Sequence, residues 1–126
     1  MATFAAGGVR GFHHHVEGVE AKDVPIGATE EGTLPGPTGP LSFRSYTPIA
    51  ASGPRLPGLI YFHGGGFVLG NLDTHDSTCR ILANASGCRV VSIDYRLAPE
   101  HKFPAAVEDA WAATKWVVGH SSDLGI

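Results

Sequence analysis

The stretch "YFHGGGFVLGN", Tyr61 to Asn71, sets three consecutive glycines directly after a run of β-formers and a histidine. Consecutive glycines raise the entropy lost on folding, so they mark backbone that something must approach closely or that adopts angles other residues avoid. Ahead of His63, "LIYF" (Leu59 to Phe62) is a continuous apolar run, as in a strand buried on both faces. Beyond the glycines, "DTHDSTCRILANASG" has helical spacing. Thr78, Ile81, Leu82 and Ala85 share one face, Asp73 can act as N-cap, Asp76 lies in the first turn and Gly87 suits the left-handed C′ position. "RVVSIDY" (Arg89 to Tyr95) reads as a second doubly buried strand and "LAPEHK" as a Pro-containing turn. "FPAAVEDAWAATKWVVG" is the strongest helix pattern, with Pro104 near its start, Glu108 and Asp109 early, Lys115 late and Gly119 at its end. Its packing face is expected to be Val107, Ala110, Trp111, Thr114, Val117 and Val118.

Upstream, the pattern is looser. Seven of the nine prolines fall between Pro25 and Pro57, five of them in "GTLPGPTGPL" and "ASGPRLPG", which read as loops around a strand at "LSFRSYTP". In that strand Leu41, Phe43, Ser45 and Thr47 point one way, Arg44 and Tyr46 the other. "GVEAKDVPI" (Gly18 to Ile26) reads as a weak edge strand, completing an antiparallel, hairpin-like opening. The order β-β-β-α-β-α, alternating at its end, gives an α/β fold: a mostly parallel central sheet with an antiparallel N-terminal edge hairpin and helices on both faces.

The bulk numbers exclude several classes. A chain of 126 residues has room for one domain. Nine basic against twelve acidic residues, with no run of either sign, offer no electrostatic footprint for nucleic acid or an anionic membrane. No apolar run approaches the ~20 residues of a bilayer span, and "MATFAAGGVRGFHHHVEG" lacks the layout of a signal peptide. Cys79 and Cys88 look like small residues of a reducing compartment, so a cytoplasmic location is expected. The adjacent His13, His14 and His15 cannot all face one ion on extended backbone, and no metal is expected there.

Two chemistries put a glycine-rich loop at the C-terminal end of a buried strand. The first is phosphate cradling in a dinucleotide fold, with Gly64-x-Gly66-x-x-x-Gly70 as the loop and Asp94 as a ribose-binding acid. That spacing is one residue too long for the usual fingerprint, and the helix starts only near Asp73, away from any phosphate over the glycines. The second is acyl transfer, in which bare backbone N–H groups stabilise the charge that develops on the former carbonyl oxygen. His-Gly-Gly-Gly is a loop of this second kind. His63 then reads as a prop bonded to the loop backbone rather than a base, and the neighbouring Phe67 and Val68 are candidate substrate contacts.

The blocks "YFHGGGFVLGNLDTHD" and "VVSIDYRLAPEHKFPAAVEDA", with "LPG" just ahead of the first, resemble the hormone-sensitive lipase family of α/β-hydrolases, especially its bacterial carboxylesterases. The match runs from Leu56 to about Trp116. It implies that Gly65 and Gly66 supply oxyanion-hole N–H groups, supported by Gly64 and His63. It further implies that Tyr95 packs behind the active site, that Arg96 and Glu100 form an ion-paired turn, and that Pro99 and Pro104 fix that turn. The implied activity is hydrolysis of short-chain acyl esters through a serine acyl-enzyme, without metal or organic cofactor. None of the eight serines sits in a Gly-x-Ser-x-Gly elbow, so the Ser-Asp-His triad is expected outside this chain and the chain alone is expected to be inactive. Asp94 and His101 are not expected to replace it, since a triad needs a serine within reach of a base.

On this reading residues 1–18 are a residual cap and residues 19–126 the N-terminal half of the hydrolase core. Two strands apolar on both faces invite pairing with another chain. The expected partner is the C-terminal half of the same hydrolase as a separate chain, with a homo-oligomer as the lesser alternative. Because the gibberellin receptors of plants resemble the same family without hydrolysing, a non-catalytic small-molecule-binding protein stays open beside the enzyme, as does a dehydrogenase fragment.

Overall fold

The computed structural model describes residues 24–126. A four-stranded sheet runs in the order β1-β2-β4-β3, with β1 at Ala28–Pro35, β2 at Pro40–Thr47, β3 at Gly58–Phe62 and β4 at Arg89–Ile93. The helices are α1 at Asp76–Ser86, α2 at Ala105–Gly119 and the short α3 at Ser121–Leu124. β1 pairs antiparallel with β2 and β2 antiparallel with β4, while β3 and β4 are parallel. The antiparallel opening and the alternating β3-α1-β4-α2 part match expectation; the sheet of this segment is mixed, with one parallel pair.

Period-two side-chain alternation divides the core into two layers. Leu34, Leu41, Phe43, Val91 and Ile93 pack against Ala113 and Val117 of α2, with Ile60 and Phe62 of β3 beside them. On the other face Tyr46 and Val90 pack against Cys79 and Ala83 of α1, with Leu59, Tyr61 and Leu82. β4 is buried on both faces, as its apolar run requires. β3, at the sheet edge, is only half-buried.

Several expectations are corrected. The outer hairpin strand is Ala28–Pro35, within the stretch read as loop; Val24 to Ile26 form no strand, and residues 18–23 lie outside the described residues, as do His13 to His15. "ATEEGTLP" has weak strand chemistry of its own and is recruited by pairing along the whole of β2, from Ala28 opposite Thr47 to Pro35 opposite Pro40, which buries Leu34.

α1 starts at Asp76, with His75 at the N-cap position. Asp73 is drawn away from capping by an ion pair with Arg44 at 2.8 Å. The buried residues of α1 are Cys79 and Ala83, with Ile81 exposed; Gly87 does close the helix in the left-handed conformation. In α2 the buried positions are Ala105, Asp109, Ala113 and Val117, while Val107, Trp111 and Val118 are exposed. That helix is apolar most of the way round, so periodicity could not choose its inner face. The choice follows from Asp109, which is fully buried against Arg96.

Candidate active site

The glycine loop leaves the C-terminal end of β3, and its shape follows from where its carbonyl groups are tied. The Tyr95 hydroxyl donates to the His63 carbonyl. His63 Nδ1 lies 2.8 Å from the Gly64 carbonyl, so that nitrogen carries the ring proton. The amides of Val68 and Leu69 donate to the Gly65 carbonyl at 3.2 and 2.9 Å. Farther on, the Ala98 amide donates to the Phe67 carbonyl at 2.8 Å, joining the loop to the turn after β4.

A trans peptide unit is planar, with N–H opposed to C=O. Tying the carbonyls of His63 and Gly64 to the rings beneath, and that of Gly65 to the loop's own turn, therefore points the N–H groups of Gly64, Gly65 and Gly66 away from those anchors. Among the described residues no acceptor meets those three amides. Beside Gly64 and Gly66 the space is open, since a Cβ there would touch nothing within 4 Å. Successive N–H groups aimed outward are an anion-binding device, suited to an oxygen that gains negative charge.

Glycine is required here for two separate reasons. Gly65 has φ +136° and Gly66 φ +65°, in the half of conformational space that side chains disfavour. Gly70 is needed for room: a Cβ on it would lie 2.5 Å from His63 Nδ1. Phe67 also takes φ +65°, a strained conformation for an aromatic residue, and leaves its ring exposed. Val68 closes the turn.

Under the loop the rings form a stack. His63 lies flat on Tyr95 (centroids 4.5 Å, 18°) and stacks also against His75 (5.3 Å, 27°). His63 is buried, and its Nε2 meets no partner among the described residues. The prop expected of His63 is what its Nδ1 does. Burial pushes the Tyr95 hydroxyl above its ordinary pKa, so it stays a donor through the neutral range.

A second frame holds the far end of the loop. Arg44 of β2 donates to Glu31 at 2.6 and 2.8 Å, to Asp73 at 2.8 Å, to Asp76 at 3.0 Å and to the Leu72 carbonyl at 3.3 Å. Tyr46, at 2.7 Å, and Arg80, at 2.8 Å, both donate to the Asp76 carboxylate. Burial pushes the Asp76 carboxyl up, but these hydrogen bonds and the two arginine charges outweigh it and hold it below the usual range.

In the turn after β4, Arg96 binds Asp109 of α2, its guanidinium at 2.8 to 3.1 Å and its backbone amide at 2.9 Å. Asp109 thus serves Arg96 beside the Glu100 partner expected from the sequence: an acid one helix away, pre-positioned by burial, offers the guanidinium two oxygens. Pro104 stands at the N-cap of α2, and the Ala98–Pro99 and Phe103–Pro104 bonds are cis. A cleft of about 620 Å³ opens beside the loop, lined by Gly70, Asn71, Asp94, Tyr95, Arg96 and Glu100 among others. Asp94 and His101 both border it; burial pushes the Asp94 carboxyl up.

Sequence reasoning brought His63, the glycines and Tyr95 to one place, and the structure joins them. It missed Asp109, whose signal was an acid within an apolar helix, and the positional need for Gly70. Arg44, read only as facing away from the Leu41 side, proves to be the hub of an ion-pair network. The α1 N-terminus lies well past Gly66, so a phosphate over the glycines would have no helix end to meet.

Comparison with known proteins agrees with this architecture. Residues 59–126 match a family model described as alpha/beta hydrolase fold. The chain is 55% identical over 93 residues to Esterase LipI of Mycobacterium tuberculosis, an alignment spanning 73% of this chain and 29% of that protein. It is 41% identical over 102 residues to an arylesterase of Saccharolobus solfataricus, spanning 81% of this chain and 33% of the relative. Among solved structures, a hyperthermophilic esterase from Pyrobaculum calidifontis superposes with a TM-score of 0.90 at 51% identity, covering 96% of this chain and 40% of that one. An ester hydrolase from the Lake Arreo metagenome, solved with a bipyridine phosphonate derivative, gives 0.90 at 45% identity, covering 95% and 38%. The chain thus spans about a third of the length of the relatives it matches. It belongs to the α/β-hydrolase fold family, in the hormone-sensitive lipase branch, and covers an N-terminal portion of that fold.

Proposed function

We propose that this segment supplies the oxyanion hole and half of the sheet of a carboxylic ester hydrolase acting on short-chain acyl esters. The observation that carries the reading is the set of unpartnered amides at Gly64 to Gly66, each turned outward by a carbonyl tied back. A serine outside the 126 residues attacks the ester carbonyl. Gly65 and Gly66 then hold the oxygen of the tetrahedral intermediate, where one such donor contributes roughly 3–4 kcal/mol of transition-state stabilisation. Phe67, exposed beside them, contacts the substrate.

The strand bearing the serine pairs along the free edge of β3, beside the apolar groove of Ile60, Val117, Val118 and Ile126. The C-terminal half of the hydrolase is thereby the partner of this segment. Esterase relatives support the chemistry, and the phosphonate carried by the Lake Arreo enzyme is a tetrahedral probe suited to the same geometry.

The test is turnover of p-nitrophenyl acetate and butyrate by the complete hydrolase, with stoichiometric inactivation by an alkyl phosphonate. Esters bound without turnover and without phosphonate labelling would instead establish a non-catalytic binding protein.

A further inference from the structure

We propose that Tyr95 is a positioning residue of the glycine loop, fixing the supporting His63–Gly64 peptide and, through His63, the Gly64–Gly65 peptide that carries the Gly65 N–H toward the substrate oxygen. The inference rests on the ester-hydrolase reading and extends it to a residue that acts through the loop backbone. Tyr95 acts twice on the same neighbour. Its hydroxyl donates to the His63 carbonyl, which fixes the plane of the His63–Gly64 peptide. Its ring lies flat against the imidazole that binds the Gly64 carbonyl, which fixes the plane of the next peptide.

The two anchors are close together, with Tyr95 Oη 3.5 Å from His63 Nδ1. The carbonyls of His63 and Gly64 therefore point to one region, and the Gly64 and Gly65 amides leave together on the opposite side. Successive N–H groups sharing a side make a concave donor pair that an extended strand, whose amides alternate, cannot offer. Tyr95 is itself held: it is buried, its ring meets Phe62 of β3, and the adjoining Arg96 is clamped to Asp109. Its position thus follows from the sheet and α2 rather than from the loop it orients.

The experiment compares the complete hydrolase with its Tyr95→Phe variant, which keeps the ring and removes the donor. With p-nitrophenyl butyrate, kcat is expected to fall about tenfold with KM within about twofold, a fraction of the roughly 10²–10³ lost when a whole donor is removed. Affinity for a boronic acid that forms a tetrahedral adduct should fall by the same factor. Fluorotyrosine at position 95, which retains ring and hydroxyl, should restore both values.

Unchanged kcat and boronate affinity in Tyr95→Phe would overturn the proposal. So would a loss shared by the fluorotyrosine protein, since packing alone would then be responsible. If the parent hydrolyses no ester, the functional reading falls separately. Glycine-selective ¹⁵N spectra still decide the role of Tyr95: a shifted Gly65 amide in Tyr95→Phe supports it, and an unmoved one overturns it.

Discussion

Replacing Gly65 by alanine should do far more damage than the same change at Gly66, although both sit at positive φ. At Gly65 the new Cβ would lie 2.1 Å from the Leu69 carbonyl oxygen and 2.7 Å from its carbon. That backbone cannot yield cheaply, because the Val68 and Leu69 amides close the turn onto the Gly65 carbonyl. Opening the turn gives up two hydrogen bonds of about 1 kcal/mol each, and the disfavoured angle adds about 1–3 kcal/mol. The local cost is therefore about 3–5 kcal/mol, and the Gly66 amide, whose peptide plane the Gly65 carbonyl sets, leaves its place.

At Gly66 the Cβ meets nothing, and only the left-handed angle is charged, at about 1–2 kcal/mol. In the complete hydrolase, Gly65→Ala should lower kcat for p-nitrophenyl acetate by roughly 10²–10³, as expected for a lost oxyanion donor. Gly66→Ala should retain at least tenfold more activity than Gly65→Ala. Stopped-flow ester turnover with urea denaturation of the same preparations reads both quantities. A Gly65→Ala protein as active as the parent, or Gly66→Ala as the worse of the two, would refute the geometry.

Two acids should shape the pH dependence of stability with opposite signs. Asp76 has a depressed pKa in the folded state, so its contribution is complete above the ordinary carboxyl value of about 3.9 and is lost as pH falls through the lower folded value; Asp76→Asn should flatten the acid limb of a urea-stability profile. Asp94 has a raised pKa, so its charge costs stability above that raised value and the cost vanishes as pH falls to about 3.9; Asp94→Asn should gain stability at pH 7 and none at pH 3. Asp109→Asn strips a buried carboxylate from Arg96 and should cost at the low end of the roughly 3–5 kcal/mol typical of a broken buried pair, because the arginine is partly hydrated; a thermal melt unchanged within error would refute the pairing. The 126 residues expressed alone should not give a cooperatively melting monomer, since the β3 edge and the Val107, Trp111 and Val118 face stand open; size-exclusion with calorimetry checks this.

What could be read from the chain by itself was whatever depends on neighbours in sequence. Three glycines after an apolar strand announce outward amides, Gly87 a helix end, and the run Arg89 to Ile93 a strand covered twice, because backbone angles and period-two burial are local properties. The paired blocks around His63 and Tyr95 also carried the family. Tertiary structure alone decided the rest. Ala28 to Pro35 became a strand through its register on β2. Asp73 lost its capping role to Arg44. α2 turned Asp109 rather than Val107 and Trp111 inward, since a guanidinium from the next element was waiting there. Such choices are made by contacts between residues distant in the chain, and no spacing within one segment encodes which partner will arrive.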